Sequence, residues 1–264
     1  MSGILQRIAA VKLAQVHARK RDLPEEELEK MALLTPLSGH VMRENLRRAP
    51  GQPIRVLSEC KKASPSKGVM IEDYDPLRLA RKYLAGGAAG ISVLTETEFF
   101  LGDDAHLRAV TGSIPLPVLR KDFTLERYQI LEARCLGASA VLLIAALLDD
   151  ARLSDLVAAA TDIGLDSIVE VHSWTELEPA LRAAPSILGI NNRDLDTFEV
   201  SLDTTFELMG DVPEGTVVVA ESGISRRDQC ELLEEAGVDA ILVGEGLGTS
   251  ADPEAKIREL RGLS

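Results

Sequence analysis

Seven residues carry the chemistry legible in this chain of 264 residues: Glu59, Lys61, Lys121, Glu170, Asn191, Arg193 and Glu221. Each follows a short apolar run, as Glu59 and Lys61 follow Ile54-Arg55-Val56-Leu57. If those runs are strands, side chains alternate between faces, so Glu59 and Lys61 point the same way from one strand. The same parity aligns Leu119, Lys121 and Phe123; Ile168, Glu170 and His172; Gly189, Asn191 and Arg193; and Val217, Val219 and Glu221. A lone Lys or Glu at a strand end is usually a solvated rim charge. Seven such groups on five strands instead describe a mouth, with cations to hold an anion and carboxylates and ammonium groups able to move protons. Isolated charges in a core are too costly for the alternative, a buried placement without partners. Two glycine-containing turns extend the pattern, Glu221-Ser222-Gly223-Ile224 and Gly244-Glu245-Gly246-Leu247-Gly248. Such turns present backbone N–H groups to a phosphate. Glu245 is a poor phosphate neighbour, so that turn would act through its backbone. The loop Ser64-Pro65-Ser66-Lys67-Gly68 supplies further polar groups next to the first strand.

Positioning these groups requires a regular frame, and the chain supplies one. From Ile4 to about Arg48 the apolar residues recur at helical spacing, with a second helix opening after Asp22-Leu23-Pro24. The punctuation Ala49-Pro50-Gly51-Gln52-Pro53 ends that leader. Strands and helices then alternate strictly: apolar runs at 54–57, 90–94, 117–119, 140–145, 167–171, 187–191, 216–220 and 240–243 are each followed by a helical segment. Eight βα units predict an α/β fold of the (β/α)8 TIM-barrel type, with an N-terminal helical extension over 1–50 and the barrel over 54–264, together one domain. A doubly wound open sheet is the competing architecture, but no G-x-G-x-x-G follows the first strand. In a barrel, the C-terminal ends of the strands form the active-site face, and the turns after strands 7 and 8 commonly hold phosphate. The seven polar groups and both turns fall there.

Other features bound the function. The net charge of −13 argues against nucleic acid or an anionic membrane as partner. Cys60, Cys135 and Cys230 are scattered, as are His17, His40, His106 and His172, so no metal-type spacing exists and a reduced, cytoplasmic protein is expected. No apolar run is long enough to span a bilayer, and the amphipathic N-terminus lacks a signal-peptide core. A monomer is compatible with these features. Cys60 should pack outward against a helix, His172 should be a loop or rim residue, and Trp174 should serve packing. Phe123, by parity, should stand over the mouth against an aromatic ligand.

The chain resembles the indole-3-glycerol phosphate synthase family. The likeness rests on SECKKASPSKG, LRKDF, IVEVH, GINNRDL, VAESGI and LVGEG, in order, and covers essentially the whole chain. One departure is Gly246-Leu247-Gly248, where the family more often has a small residue and Leu-Met. The resemblance implies a lyase of tryptophan biosynthesis that closes 1-(2-carboxyphenylamino)-1-deoxyribulose 5-phosphate to indole-3-glycerol phosphate, with loss of CO2 and water and no cofactor. It further implies Lys121 as general acid, Glu170 as general base, Glu59 as a carboxylate tuning the lysines, and Lys61 as counter-charge or second acid. Asn191 and Glu221 would orient substrate hydroxyls, Arg193 would take the substrate carboxylate, and Ser64 would add a polar contact. Ser222, Gly223, Gly244 and Glu245 would offer backbone contacts to phosphate. Two other activities fit the same frame: an Amadori-type isomerase of aminosugar phosphates, and a sugar-phosphate-binding barrel without catalysis.

Overall fold

Eight parallel strands close on themselves in the computed structural model, which describes residues 3–37, 41–194, 197 and 199–263. His40, and Leu195 of the GINNRDL segment, lie outside the described residues. The strands are β1 (Arg55–Cys60), β2 (Gly90–Leu94), β3 (Val118–Lys121), β4 (Ala140–Ile144), β5 (Asp166–Val171), β6 (Ile187–Asn191), β7 (Val217–Glu221) and β8 (Ala240–Val243). Each pairs with its sequence neighbours, and β1 closes the ring by pairing with both β2 (Leu57 opposite Gly90) and β8 (Arg55 opposite Ala240). A closed parallel sheet has no free edge, and its strands are buried on both faces.

The two faces build two layers. Outward residues such as Val56, Cys60, Val141, Leu143, Val169, Leu188 and Val218 pack under the surrounding helices. Inward residues, among them Leu57, Leu119, Leu142, Ile168, Ile187, Val219 and Leu242, fill the barrel. The helical layer starts where the local chemistry allows. The Asp75 side chain accepts from Arg78 N at the start of Pro76–Gly86, Asp149 from Arg152 N before Asp150–Asp162, and Asp252 from Ala255 N before Pro253–Leu260.

The leader grips the barrel at both ends. Its helices are α1 (Gly3–Asp22), α2 (Glu25–Leu34) and α3 (Met42–Leu46). Leu5 and Ile8 of α1 and Met42 and Leu46 of α3 join the same inner cluster as the barrel interior. At the floor, the Asp166 carboxylate accepts from Arg43 N and the Asp239 carboxylate accepts from Arg48 N. At the opposite end, Lys12 of α1 is buried against Asp122, just beyond β3, at 2.8 Å.

The strands β1, β3 and β7 run one to three residues further than their apolar runs, to Cys60, Lys121 and Glu221. The polar residues at those ends remain in the ladder because the mouth supplies partners for them. Cys60 faces outward as parity requires, its Sγ against the Pro76 carbonyl at 3.6 Å. Trp174, expected to pack, is instead 56% exposed at the start of the helix Trp174–Arg182.

Candidate active site

A cavity of about 470 Å³ opens at the C-terminal ends of the strands. Its floor is a chain of charges. Lys121 Nζ donates to Glu170 Oε2 at 2.7 Å and to Glu221 Oε2 at 2.9 Å, so one ammonium from β3 bridges carboxylates from β5 and β7. Asn191 Nδ2 donates to the other oxygen of Glu170 at 3.1 Å, and Asn191 Oδ1 accepts from Arg193 N at 3.1 Å. On β1, Glu59 and Lys61 form their own pair at 2.5 Å. The charges placed on one face by strand parity thus neutralise one another locally.

Small residues make this arrangement possible. A Cβ at Gly189 would stand 2.7 Å from Glu221 Oε1 and 3.6 Å from Glu170 Cα, so β6 must be bare there for the Glu221 carboxylate to lie flat across the barrel. A Cβ at Gly244 would collide with the Glu59 carboxylate and lie 3.1 Å from Lys61 Nζ. Gly244 therefore makes room for the β1 pair as well as forming a turn.

The electrostatics follow from burial and contact. Burial opposes the charge on Lys121, but Glu170, Glu221 and Glu59 outweigh it and hold the ammonium above its ordinary value. Burial likewise opposes the charge on Glu170, yet Lys121 and His172 hold that carboxylate well below the usual range. Glu221 is left on the losing side: burial, opposed by Lys121 and reinforced by Glu170 and Glu59, pushes it up to about 7. One carboxylate fixed as an anion and one poised near neutrality, on a shared lysine, is the arrangement expected of proton-transfer machinery.

The two ends of the cavity differ in character. Toward β7 and β8, Ser222 and Gly223 have φ of +66 and +78, turning the backbone sharply after Glu221. Asn192 Nδ2 fixes that turn by donating to the carbonyls of Glu221 and Ser222 at 3.0 and 3.2 Å. After β8, Gly244 opens a short helix, Glu245–Gly248. First-turn N–H groups have no partner within a helix and suit an anion. The Glu245 side chain points to solvent and pairs with Lys67 at 3.3 Å. A Cβ at Gly248 would lie 3.1 Å from Ile71 Cδ1 in the loop after β1, a contact the Ile71 side chain would have to yield to.

Toward β2, β3 and β4 the wall is apolar, made by Ile4, Leu5 and Ile8 of α1 with Phe100, Phe123, Leu142 and Ile144. Phe100 and Phe123 lie 6.1 Å apart, tilted at 40°. The loop bearing Phe100 is held by Glu96, a buried carboxylate that accepts from the backbone N–H groups of Glu98, Phe99 and Phe100.

Every residue assigned to the site from the sequence lines this one cavity: Glu59, Lys61 and Ser64 from β1 and its loop; Lys121 and Phe123 at β3; Glu170, Asn191 and Arg193 at β5 and β6; and Glu221, Ser222, Gly223, Gly244 and Glu245 at β7 and β8. Sequence reasoning missed Phe100 and the contribution of α1. Periodicity marked Ile4 and Ile8 as one helical face but carried no information on which end of the barrel that face covers. His172 lies in the loop after β5, as expected, but is largely buried rather than on an open rim: its side chain is 9% exposed and its Nε2 lies 3.1 Å from Glu170 Oε1. Among the described residues no cluster of three or more His, Cys, Asp or Glu is arranged to hold a metal ion. No described helix is long and apolar enough to cross a membrane.

Comparisons with known proteins agree with this geometry. The family model for indole-3-glycerol phosphate synthase matches residues 5–260. An indole-3-glycerol phosphate synthase of Roseiflexus castenholzii is 44% identical, covering 99% of each chain. Another, from Chlorobium chlorochromatii, is 42% identical over 94% of this chain and 96% of its own. Among solved structures, a 3-hexulose-6-phosphate synthase superposes with a TM-score of 0.64 at 15% identity, over 80% of this chain and 99% of its own, a likeness of fold alone.

Proposed function

The chain belongs to the indole-3-glycerol phosphate synthase family, and from that premise we propose how its residues divide the reaction. The enzyme is a carboxy-lyase of tryptophan biosynthesis: it closes 1-(2-carboxyphenylamino)-1-deoxyribulose 5-phosphate to indole-3-glycerol phosphate, releasing CO2 and water. The observation that carries the residue assignment is Lys121, whose ammonium bridges Glu170 and Glu221 where the apolar and anion-binding halves of the cavity meet.

The substrate phosphate sits on the backbone at Ser222, Gly223, Gly244 and Glu245. The aromatic ring lies against Phe100, Phe123 and the face of α1. That span brings the C2′ carbonyl over Lys121. As the ring carbon attacks C2′, the carbonyl oxygen takes the proton from Lys121. A lysine held above its ordinary value yields its proton only to a base as strong as a developing alkoxide, which restricts donation to the moment of bond formation. Arg193 holds the ring carboxylate until the bond to CO2 breaks and its electrons restore aromaticity. In the dehydration, Glu170 takes a proton from C1′, the electrons of that C–H bond form the C1′–C2′ double bond, and Lys61, positioned by Glu59, protonates the hydroxyl that leaves C2′ as water. Asn191 orients Glu170, while Glu221 and Ser64 contact the sugar hydroxyls. Acid–base steps account for every bond change. The compartment proposed is the cytoplasm, given three scattered cysteines and an acidic surface, with a small phosphorylated molecule as partner.

Stoichiometric turnover tests the assignment. Wild type should release CO2 and form indole absorbance in equal amounts, and Glu170→Gln should lower kcat by at least about 10²-fold, the usual size of a general-base contribution. Lys61→Ala should slow indole formation more than CO2 release. A Glu170→Gln enzyme with wild-type kcat would remove Glu170 from the base role.

A further inference from the structure

The IVEVH motif ends in a histidine that parity aligns with Glu170, and the reaction as described does not use it. His172 follows β5, whose last residue is Val171, and it does not line the cavity. It stands behind Glu170. One oxygen of Glu176, Oε2, accepts both from the His172 backbone N at 2.8 Å and from ring Nδ1 at 3.1 Å. Backbone and ring are therefore pinned by one carboxylate at the start of the next helix. The other ring nitrogen, Nε2, lies 3.1 Å from Glu170 Oε1, at ion-pair distance without the alignment of a hydrogen bond. Both ring nitrogens thus face carboxylates. A neutral imidazole has one N–H and one lone pair and would turn the lone pair toward one of them. Only the imidazolium suits both.

The consequence lies in what surrounds Glu170. Its Oε2 is held by Lys121 and its Oε1 by Asn191. The other acids on the cavity side, Glu221 and Glu59, face it through the shared lysine and add negative charge. Lys121 is the cation that touches Glu170 from within the cavity, and Lys121 is the group assigned to give up its proton. A buried carboxylate that lost its counter-charge would rise toward protonation.

We propose that His172 is a positioning residue for the reaction, a cation fixed between Glu176 and Glu170 that keeps Glu170 charged and aimed while Lys121 is without its proton. The role rests on the assignment of Glu170 as general base. Burial opposes the charge on the ring, but contacts with Glu170 and Glu176 raise His172 to about 10, in keeping with a cation throughout the working range.

The test is the pH dependence of kcat in wild type, His172→Gln, His172→Lys and Glu176→Gln. An opposite charge in contact moves a carboxylate by about 1–3 units, so the acid limb should rise by at least about one pH unit in His172→Gln. The loss in kcat should grow as pH falls toward that limb, with KM within about twofold because His172 does not reach the substrate. Glu176→Gln should shift the limb in the same direction, and His172→Lys should return it toward wild type. Should His172→Gln fail to fold, imidazole NMR of the wild-type protein decides: the ring should be protonated at pH 7.5, and a neutral ring overturns the proposal. An unshifted limb in His172→Gln overturns it too. If Glu170→Gln is inactive in that case, the loss falls on His172 alone; if Glu170→Gln retains wild-type kcat, the base assignment itself has failed.

Discussion

Removing Lys12 should destabilise the protein far more than its place in an N-terminal extension suggests. Lys12 and Asp122 are 2.8 Å apart, with side chains 3% and 1% exposed. Breaking a buried pair strands the surviving charge and costs about 3–5 kcal/mol. Asp122 keeps some support: Thr95 Oγ1 donates to it at 2.7 Å, Phe123 N donates at 2.8 Å, and Arg120 lies 3.7 Å away. The cost of Lys12→Met should therefore sit near the lower end, about 3 kcal/mol. At about 2 °C per kcal/mol for a domain of this size, the melting temperature falls by roughly 6 °C. Burial pushes the Asp122 carboxyl up, but Lys12, Arg120 and the Thr95 hydroxyl outweigh it and hold it below the ordinary value. A depressed carboxylate adds stability above its unfolded pKa and loses it as pH falls through the folded one, so the cost of Lys12→Met should be full at neutral pH and shrink on acidification. The assay is urea unfolding at neutral pH of wild type, Lys12→Met, Asp122→Asn and the double variant. The double should cost clearly less than the sum of the singles, with a coupling of about 2 kcal/mol. Strict additivity, or a single-variant loss below about 1 kcal/mol, would show that the pair does not fasten α1 to the barrel.

Two further outcomes follow from the cavity floor. Gly189→Ala should fold but drive the Glu221 carboxylate off its place, because the new Cβ would lie 2.7 Å from Oε1. It should lower kcat by about tenfold or more, and a crystal structure should show Glu221 no longer touching Lys121; unchanged kcat contradicts this reading. Burial, reinforced by Glu170 and Glu59 and opposed by Lys121, pushes Glu221 up to about 7. Below that pH it is neutral and pulls less on Lys121, leaving the lysine the stronger acid; above it, the charged carboxylate retains the proton. The kcat/KM profile should therefore decline as pH rises through about 7 in wild type. Glu221→Gln should lack that decline, and its persistence there would assign the ionisation elsewhere.

The barrel was legible because eight apolar runs at βα spacing leave little architectural choice, and parity alone put Glu59, Lys121, Glu170, Asn191 and Glu221 on the inner face. Pairings were not legible. Which carboxylates Lys121 bridges depends on strands 49 and 100 residues away in sequence, brought together by closure of the ring. The role of α1 was hidden for a similar reason: amphipathicity shows that a face is buried, and the partner Asp122 is 110 residues further on. His172 lies in the loop after β5 as expected, but its burial was not legible, because the Glu176 carboxylate that pins it comes from the next helix. Trp174 came out exposed because hydrophobic residue type alone does not say which side of a helix N-terminus faces the barrel.

Lys121 is the centre of this account, and single-turnover kinetics of Lys121→Ala address it most directly. With enzyme in excess over 1-(2-carboxyphenylamino)-1-deoxyribulose 5-phosphate, the account predicts substrate binding within a few-fold of wild type, since phosphate and ring are held elsewhere. It also predicts that indole formation slows by at least about 10²-fold, the scale of a lost general acid. Indole formation within tenfold of wild type would contradict it, and the proton for ring closure would have to come from another group.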